Sequence, residues 1–123
     1  MSAVLTVTNI DATQNEFILE GTIALTGNYG GASTHGDTLD LSTAGVASSQ
    51  LPSWVEFFEQ SPSGALPSAN IYLYLPGTTQ ANGVLNVRTA LGTEYTEASA
   101  YGTPPFAITG FKLFMRAGFP SLV

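Results

Sequence analysis

Apolar and polar side chains alternate along much of this chain, and the longest alternating run extends from Glu16 to Thr26. Successive side chains of a β-strand point to opposite faces of its sheet, so this run predicts a strand with one buried face. That face carries Phe17, Leu19, Gly21, Ile23 and Leu25. A half-buried strand needs a sheet around it, and we expect the rest of the chain to supply that sheet.

Further segments show the same alternation and are separated by residues that favour turns, mainly glycine, proline and asparagine. The predicted strands are 3–9, 16–26, 37–42, 54–59, 70–75, 84–91 and 106–115. No convincing amphipathic helix of about ten residues or more is found. The pattern therefore predicts an all-β chain, an antiparallel β-sandwich or small barrel-like fold with long glycine-rich loops and little helix. We expect residues 1–123 to form a single β domain.

The alternation also predicts which side chains each strand buries. In residues 70–75 the aliphatic side chains are predicted to face the core and the tyrosines the other side, that is, Ile71, Leu73 and Leu75 against Tyr72 and Tyr74. In residues 84–91 the predicted inner side chains are Leu85 and Val87, and the outer ones are Asn86 and Arg88. Residues 54–59 place a carboxylate on each face, a mixture that favours an edge strand or an interface over a closed core. The apolar tail, 117–123, is expected to dock on its own sheet or on a neighbouring molecule.

Charged side chains are scarce, at 10% of residues against roughly 25% in soluble domains. Interface cores are depleted of charge, so this scarcity is a hint of assembly; a polar but uncharged β surface explains it about as well. The net charge is −6, and only three residues are basic. Nucleic acids and anionic membranes are bound by clustered cations, so neither is an expected partner.

The chain has no cysteine, which excludes a disulfide framework and thiolate metal sites. Residues 1–6 lack the basic region and apolar run of a signal peptide. No stretch approaches about 18 consecutive apolar residues, so no membrane span is expected. These features together predict synthesis in the cytoplasm without a secretion signal of the chain's own.

One loop gathers residue types that are used in catalysis. His35, the only histidine, lies in the glycine-rich segment 27–36, between Ser33 and Asp37. In an extended segment these three side chains would lie along one face without converging, whereas a working triad needs mutual hydrogen bonds. The segment also lacks the Gly-Lys-Ser/Thr ending of a phosphate-binding loop.

The carboxylates suggest no firmer site. Asp37 and Asp40 offer oxygen ligands of the kind that calcium takes, but their spacing matches no EF-hand loop. Glu94 and Glu97 are the other acidic pair, and nothing in the sequence brings them to the two sides of a sugar bond. We therefore predict no catalytic residues, no metal site and no cofactor, and we expect that the chain is not an enzyme.

Three segments, 21–29, 36–41 and 71–76, resemble segments of small virion proteins of tailed bacteriophages. They read Gly-Thr-Ile-Ala-Leu-Thr-Gly-Asn-Tyr, Gly-Asp-Thr-Leu-Asp-Leu and Ile-Tyr-Leu-Tyr-Leu-Pro, and the phenylalanine-rich final strand is similar in order and spacing. The resemblance implies a capsid decoration protein (cement, or head-stabilising), a β-rich module on the outside of the major capsid protein shell. Such modules often cluster as trimers. The N-terminal arm of lambda-type decoration proteins has no match here, so the docking mode is left open.

On this resemblance the expected partners are the major capsid protein and further copies of the chain, with a trimer favoured. The expected location is the capsid surface of a virion, after synthesis in the host cytoplasm. Large apolar side chains carry much interface energy, and the expected contact residues are Tyr29, Trp54, Phe58, Phe119 and Leu122. Three alternatives stay open: a tail, fibre or adaptor component, a carbohydrate-binding β module that uses Trp54 and the tyrosines, and a small hydrolase that uses His35.

Overall fold

The computed structural model describes residues 2–12, 16–26, 29–30, 35–42, 50–60, 70–89, 91–94 and 112–120. These residues form seven β-strands and no α-helix. The strands are β1 (Ser2–Ala12), β2 (Glu16–Thr26), β3 (Asp37–Thr38), β4 (Trp54–Gln60), β5 (Ile71–Leu75), β6 (Val84–Arg88) and β7 (Lys112–Pro120). All the paired strands are antiparallel, which confirms the all-β prediction.

The strands form two sheets. Four strands pair in the order β1-β2-β7-β4, and three pair in the order β3-β6-β5. The first two strands pair antiparallel, with a register shift between Val7 and Asn9 that marks a β-bulge. The long strand β2 lies inside the larger sheet, between β1 and β7, as its half-buried pattern requires.

The core lies between the two sheets and uses the inward side chains of the central strands. Leu19 and Ile23 of β2 and Leu113 and Met115 of β7 are buried, as the alternation predicts. The smaller sheet contributes Leu85 and Val87 of β6, and the segment after β3 contributes the buried Leu39 and Leu41.

The two sheets also meet along their sides, where β4 runs beside β5 and β1 runs beside β3. Between β4 and β5, the hydroxyl of Tyr72 donates a hydrogen bond to Glu59. The rings of Phe57 and Tyr72 are 6.4 Å apart between centroids and tilted by 52°. These contacts join the edge strands of the two sheets and give the sandwich a barrel-like outline.

The predicted faces of β5 are wrong. Tyr72 and Tyr74 point inwards and pack against the core, whereas Ile71 and Leu73 are exposed. A strand fixes which side chains share a face, but not which face is buried. Here β4 offers Glu59 as a partner for the Tyr72 hydroxyl, so the amphipathic ring can be placed inside.

Several strand boundaries also differ from the predicted ones: β1 is longer, over Ser2–Ala12, and β6 is shorter, over Val84–Arg88. The third strand spans only Asp37–Thr38, although Leu39 and Leu41, which follow it, are both buried. The last strand, described over Lys112–Pro120, continues beyond its predicted end at 115, because the tail pairs with β2 and β4. The tail was expected to dock, and over residues 117–120 it does so on the chain's own sheet. Residues 106–111 and 121–123 lie outside the described part.

Candidate functional site

Large apolar side chains gather on the outer face of the four-stranded sheet, the face turned away from the core. Phe58 of β4 lies opposite Phe114 of β7, and Trp54 lies opposite Gly118. Ile18 of β2 lies on the other side of Gly118. Phe58 is 48% exposed, and Trp54, Phe114 and Ile18 are partly exposed. These four side chains form the apolar part of what we call the outer face.

The charged part of the outer face lies between the aromatic side chains. Arg116 of β7 is directly opposite Glu20 of β2 on one side and Glu56 of β4 on the other. Cross-strand pairs of opposite charge stabilise a sheet modestly. Arg116 and Glu56 are both exposed, so this row of charges is available to a partner.

Trp54 is held flat on the sheet by its neighbours. Its indole ring lies over the backbone of Gly118, where a Cβ atom would overlap the ring. The guanidinium carbon of Arg116 lies 5.8 Å from the ring centroid, within the range of a cation–π interaction. The fixed ring is pre-organised for contact, because a partner need not order it on binding.

We expect Gly118→Ala to lift Trp54 off the sheet. The added methyl group overlaps the end of a movable side chain, not backbone, so the loss of stability should stay below about 1 kcal/mol. Trp54 is the only tryptophan of the chain, so its fluorescence emission reports the change directly and should shift to longer wavelength. Ala81→Ser, at an exposed turn residue, is the control. Unchanged emission in Gly118→Ala would contradict the arrangement.

A second feature is a polar cluster beside β6, centred on Tyr29. The Tyr29 hydroxyl accepts hydrogen bonds from the backbone N–H of Val87 (3.1 Å) and from Nδ2 of Asn86 (3.2 Å), and it donates one to Oε1 of Glu94 (2.9 Å). Asn86 Nδ2 also donates to the carbonyl oxygen of His35 (2.7 Å). Tyr29 therefore accepts from the backbone of β6 beyond the part that pairs with β3, and the cluster joins Tyr29 and His35 to the small sheet.

Burial raises the pKa of the Tyr29 phenol, and the carboxylate of Glu94 raises it further. The hydroxyl therefore stays protonated and remains a donor to Glu94. His35 has a positive φ of 60°, a conformation that costs energy outside glycine. The hydrogen bond that buried Asn86 donates to the carbonyl of His35 offsets part of this cost.

The structure describes two of the three residues considered for catalysis. Ser33 lies outside the described residues, and Asp37 is fully buried. The His35 side chain is 71% exposed, and its Nδ1 lies 3.8 Å from Oε2 of Glu94.

The remaining acidic candidates are Asp40 and Glu97. Asp40 is exposed and accepts hydrogen bonds from the backbone N–H and the hydroxyl of Ser42 (2.8 and 2.5 Å). Glu97 lies outside the described residues. Within the described part of the chain, no group of three or more histidine and carboxylate side chains is arranged to hold a metal ion. In that part there is also no helix long and apolar enough to cross a membrane.

Of the expected contact residues that the structure describes, only two lie on the outer face. Trp54 and Phe58 lie on the outer face, whereas Tyr29 is 1% exposed and Phe119 is 0% exposed. Those two rings fill the chain's own interior, so we withdraw them from the contact surface. Leu122 lies outside the described residues.

Sequence reasoning missed several partners. Alternation puts Phe114 and Arg116 on one face of the last strand, but the pairing of that face with Trp54 and Phe58 depends on a strand order that alternation does not give. Asn86 was predicted to face outwards. It lies on that side of the strand, yet it is fully buried and bonded to Tyr29.

Comparison of the chain with protein-family models, with curated proteins and with solved structures finds no match.

Proposed function

We propose that this chain is a non-enzymatic capsid decoration protein of a tailed bacteriophage, which binds the outside of the major capsid protein shell and stabilises the head. The observation that carries the proposal is the outer face, a β-sheet surface that presents Trp54, Phe58 and Phe114 around Arg116. The resemblance of three segments to small phage virion proteins supplies the identity of the partner.

The composition of the outer face supports a contact role. Aromatic residues and arginine are enriched in protein–protein interfaces and supply most of the residues whose loss weakens binding strongly. The aromatic side chains lie on β4 and β7, which pair along seven residue positions from Trp54 to Gln60. Side chains fixed on paired strands are already ordered, so binding costs less conformational entropy there than on a loop.

The low charge of the chain supports the same role. Of its 123 residues, 10% are charged, and on the outer face Glu20, Arg116 and Glu56 form one row between two apolar regions. A protein that coats a lattice is present in many copies, and each copy needs only modest affinity if neighbouring copies hold one another in place. Further copies of the chain are therefore part of the proposal.

The proposal is tested with capsids assembled without this chain. We expect the purified protein to co-sediment with such capsids at micromolar concentration, to change the emission of Trp54 and to raise the temperature at which the capsids break open. Phe58→Asp should weaken binding by about thirtyfold or more, because it removes a central aromatic contact and buries a charge in its place. Ala81→Asp adds the same charge to an exposed turn outside the outer face and serves as the control.

Absence of binding at micromolar concentration would end the proposal. Equal losses in Phe58→Asp and Ala81→Asp would remove the outer face from it. Copy number, measured by mass spectrometry of whole particles, separates decoration from the tail, fibre or adaptor alternative: many copies per particle indicate decoration, and few indicate a tail part. Binding to a glycan array would favour the carbohydrate module instead.

A further inference from the structure

The turn between β5 and β6 contains an asparagine followed directly by a glycine, Asn82-Gly83, and this pair occurs nowhere else in the chain. Asparagine is among the thermally labile residues of proteins. The backbone nitrogen of the next residue can attack the side-chain carbonyl carbon, and glycine, which has no side chain, hinders this attack least. The new N–Cγ bond displaces Nδ2, which leaves as ammonia with the proton of the backbone nitrogen. Water then opens the resulting succinimide ring at either carbonyl, giving aspartate or isoaspartate.

Packing requires the glycine of this pair. Gly83 is buried, and a Cβ atom there would overlap the hydroxyl and the ring of Tyr74, which packs against the core. The carbonyl of Gly83 also accepts a hydrogen bond from the backbone N–H of Leu39 (2.9 Å), beside the pairing of β3 with β6. A larger residue at position 83 would displace these contacts, so the fold retains the residue that makes the asparagine vulnerable.

The turn also requires the asparagine, because its side chain closes the turn. Oδ1 of Asn82 accepts from the backbone N–H of Thr79 (2.9 Å), and Nδ2 donates to Oγ1 of Thr78 (2.9 Å). Asparagine side chains often satisfy turn backbone groups in this way. Gly77 leaves room for the amide, since a Cβ atom there would overlap Oδ1. Both polar atoms of the amide are therefore held towards residues 77–79.

These hydrogen bonds oppose the reaction. Asn82 is exposed, so water reaches its side chain. Ring closure must bring Cγ to the nitrogen of Gly83, and the amide then leaves the position in which it meets Thr78 and Thr79. The net contribution of an ordinary hydrogen bond corresponds to a factor of about two to ten in the rate of a reaction that must first break it.

We infer that Asn82 is a site of spontaneous deamidation and that its hydrogen bond to Thr78 sets the rate in the folded chain. Isoaspartate continues the main chain through Cβ and Cγ and so inserts an extra backbone atom immediately before Gly83. The carbonyl of Gly83 then loses its alignment with Leu39, next to the paired residues of β3 and β6. This chemistry does not depend on what the outer face binds.

Peptide mass spectrometry of the purified full chain, kept warm at neutral pH, measures the rate. We expect Thr78→Val to accelerate deamidation at Asn82 by about fivefold over the wild type. Thr79→Val is the matched control in the same turn. It also removes a hydroxyl, one that accepts from the N–H of Ala81, but it keeps the backbone N–H that donates to Asn82. Thr78→Ser retains the accepting oxygen and should react at the wild-type rate. Equal rates in Thr78→Val and Thr79→Val would overturn the inference.

The same measurement in concentrated urea removes the turn and tests whether Thr78 acts through the fold. The wild type and its variants should then react faster than the folded wild type and at a common rate. A folded wild type that reacts as fast as the denatured chain would show that the turn gives no protection. A faster reaction of Thr78→Val that persists in urea would show that the hydrogen bond is not its cause.

Urea unfolding of the isoaspartate form, isolated from aged protein by chromatography, tests the expected effect on the fold. Asn82→Asp is the control, because it introduces the same charge without the extra backbone atom. The isoaspartate form should unfold at a lower urea concentration than Asn82→Asp. Equal midpoints would contradict the loss of alignment between Gly83 and Leu39.

Discussion

Gly36→Ala is expected to lower the free energy of unfolding by about 3 kcal/mol or more, enough to leave a large part of a marginally stable chain unfolded. Gly36 has a φ of +138°, a conformation that side-chain-bearing residues rarely adopt. A Cβ atom there would also overlap the backbone carbonyl of Leu85, across the pairing of β3 with β6. Strain of this kind costs about 1–3 kcal/mol, and overlap with fixed backbone adds about as much again.

Gly92→Ala is the matched control for this substitution. Gly92 also has a positive φ, +86°, but a Cβ atom there would meet nothing within 4 Å. Its substitution therefore carries the conformational strain alone, about 1–2 kcal/mol. Urea denaturation measures the loss of unfolding free energy in both variants, with the same dependence on urea concentration used for each. Equal losses in the two variants would show that the approach of Gly36 to Leu85 contributes nothing.

Tyr29→Phe is expected to cost about 2 kcal/mol. The substitution removes one oxygen that accepts from the buried N–H of Val87 and donates to Glu94. A buried donor left without an acceptor costs about 1–3 kcal/mol. The ring itself keeps its place in the core, so the loss reports the polar cluster and not the packing.

The same substitution at Tyr74 should act in the opposite direction. The Tyr74 hydroxyl is buried and has no hydrogen-bond partner among the described residues. Burial raises the pKa of its phenol, as does the charge of Asp40, so the buried hydroxyl stays neutral. Its removal should leave stability unchanged or raise it by up to about 1 kcal/mol. Thermal and urea unfolding of both variants decide the matter; equal losses in Tyr29→Phe and Tyr74→Phe would refute the assigned role of the cluster.

The polar cluster and the outer face have different consequences for the molecule. The cluster joins Tyr29 and His35 to β6 through Asn86, and the side chains of Tyr29 and Asn86 lie in the interior. The outer face leaves Trp54 and Phe58 at the surface, on paired strands. A variant of the cluster should therefore change stability first, whereas Phe58→Asp should change capsid binding with little effect on folding.

Alternation by itself determined most of the fold. The buried face of β2, with Leu19 and Ile23, follows from period two, as do the buried Leu85 of β6 and Met115 of β7. Turn-forming residues separated the strands, and the absence of a helical period determined the all-β class. These features are local, because backbone geometry alone makes every second side chain share a face.

Tertiary structure decided what no local pattern contains. The hydroxyl of Tyr29 donates a hydrogen bond to Glu94, 65 residues further along the chain. The sequence shows that both Tyr29 and Phe58 are aromatic, but not that the first is buried and the second exposed. The strand order set Trp54 over Gly118. Glu59 of the neighbouring strand helps to decide which face of β5 is buried, because it accepts a hydrogen bond from the Tyr72 hydroxyl inside the sandwich. Alternation divides a strand into two sets of side chains, but which set is buried depends on the free energy of its contacts with the opposing sheet.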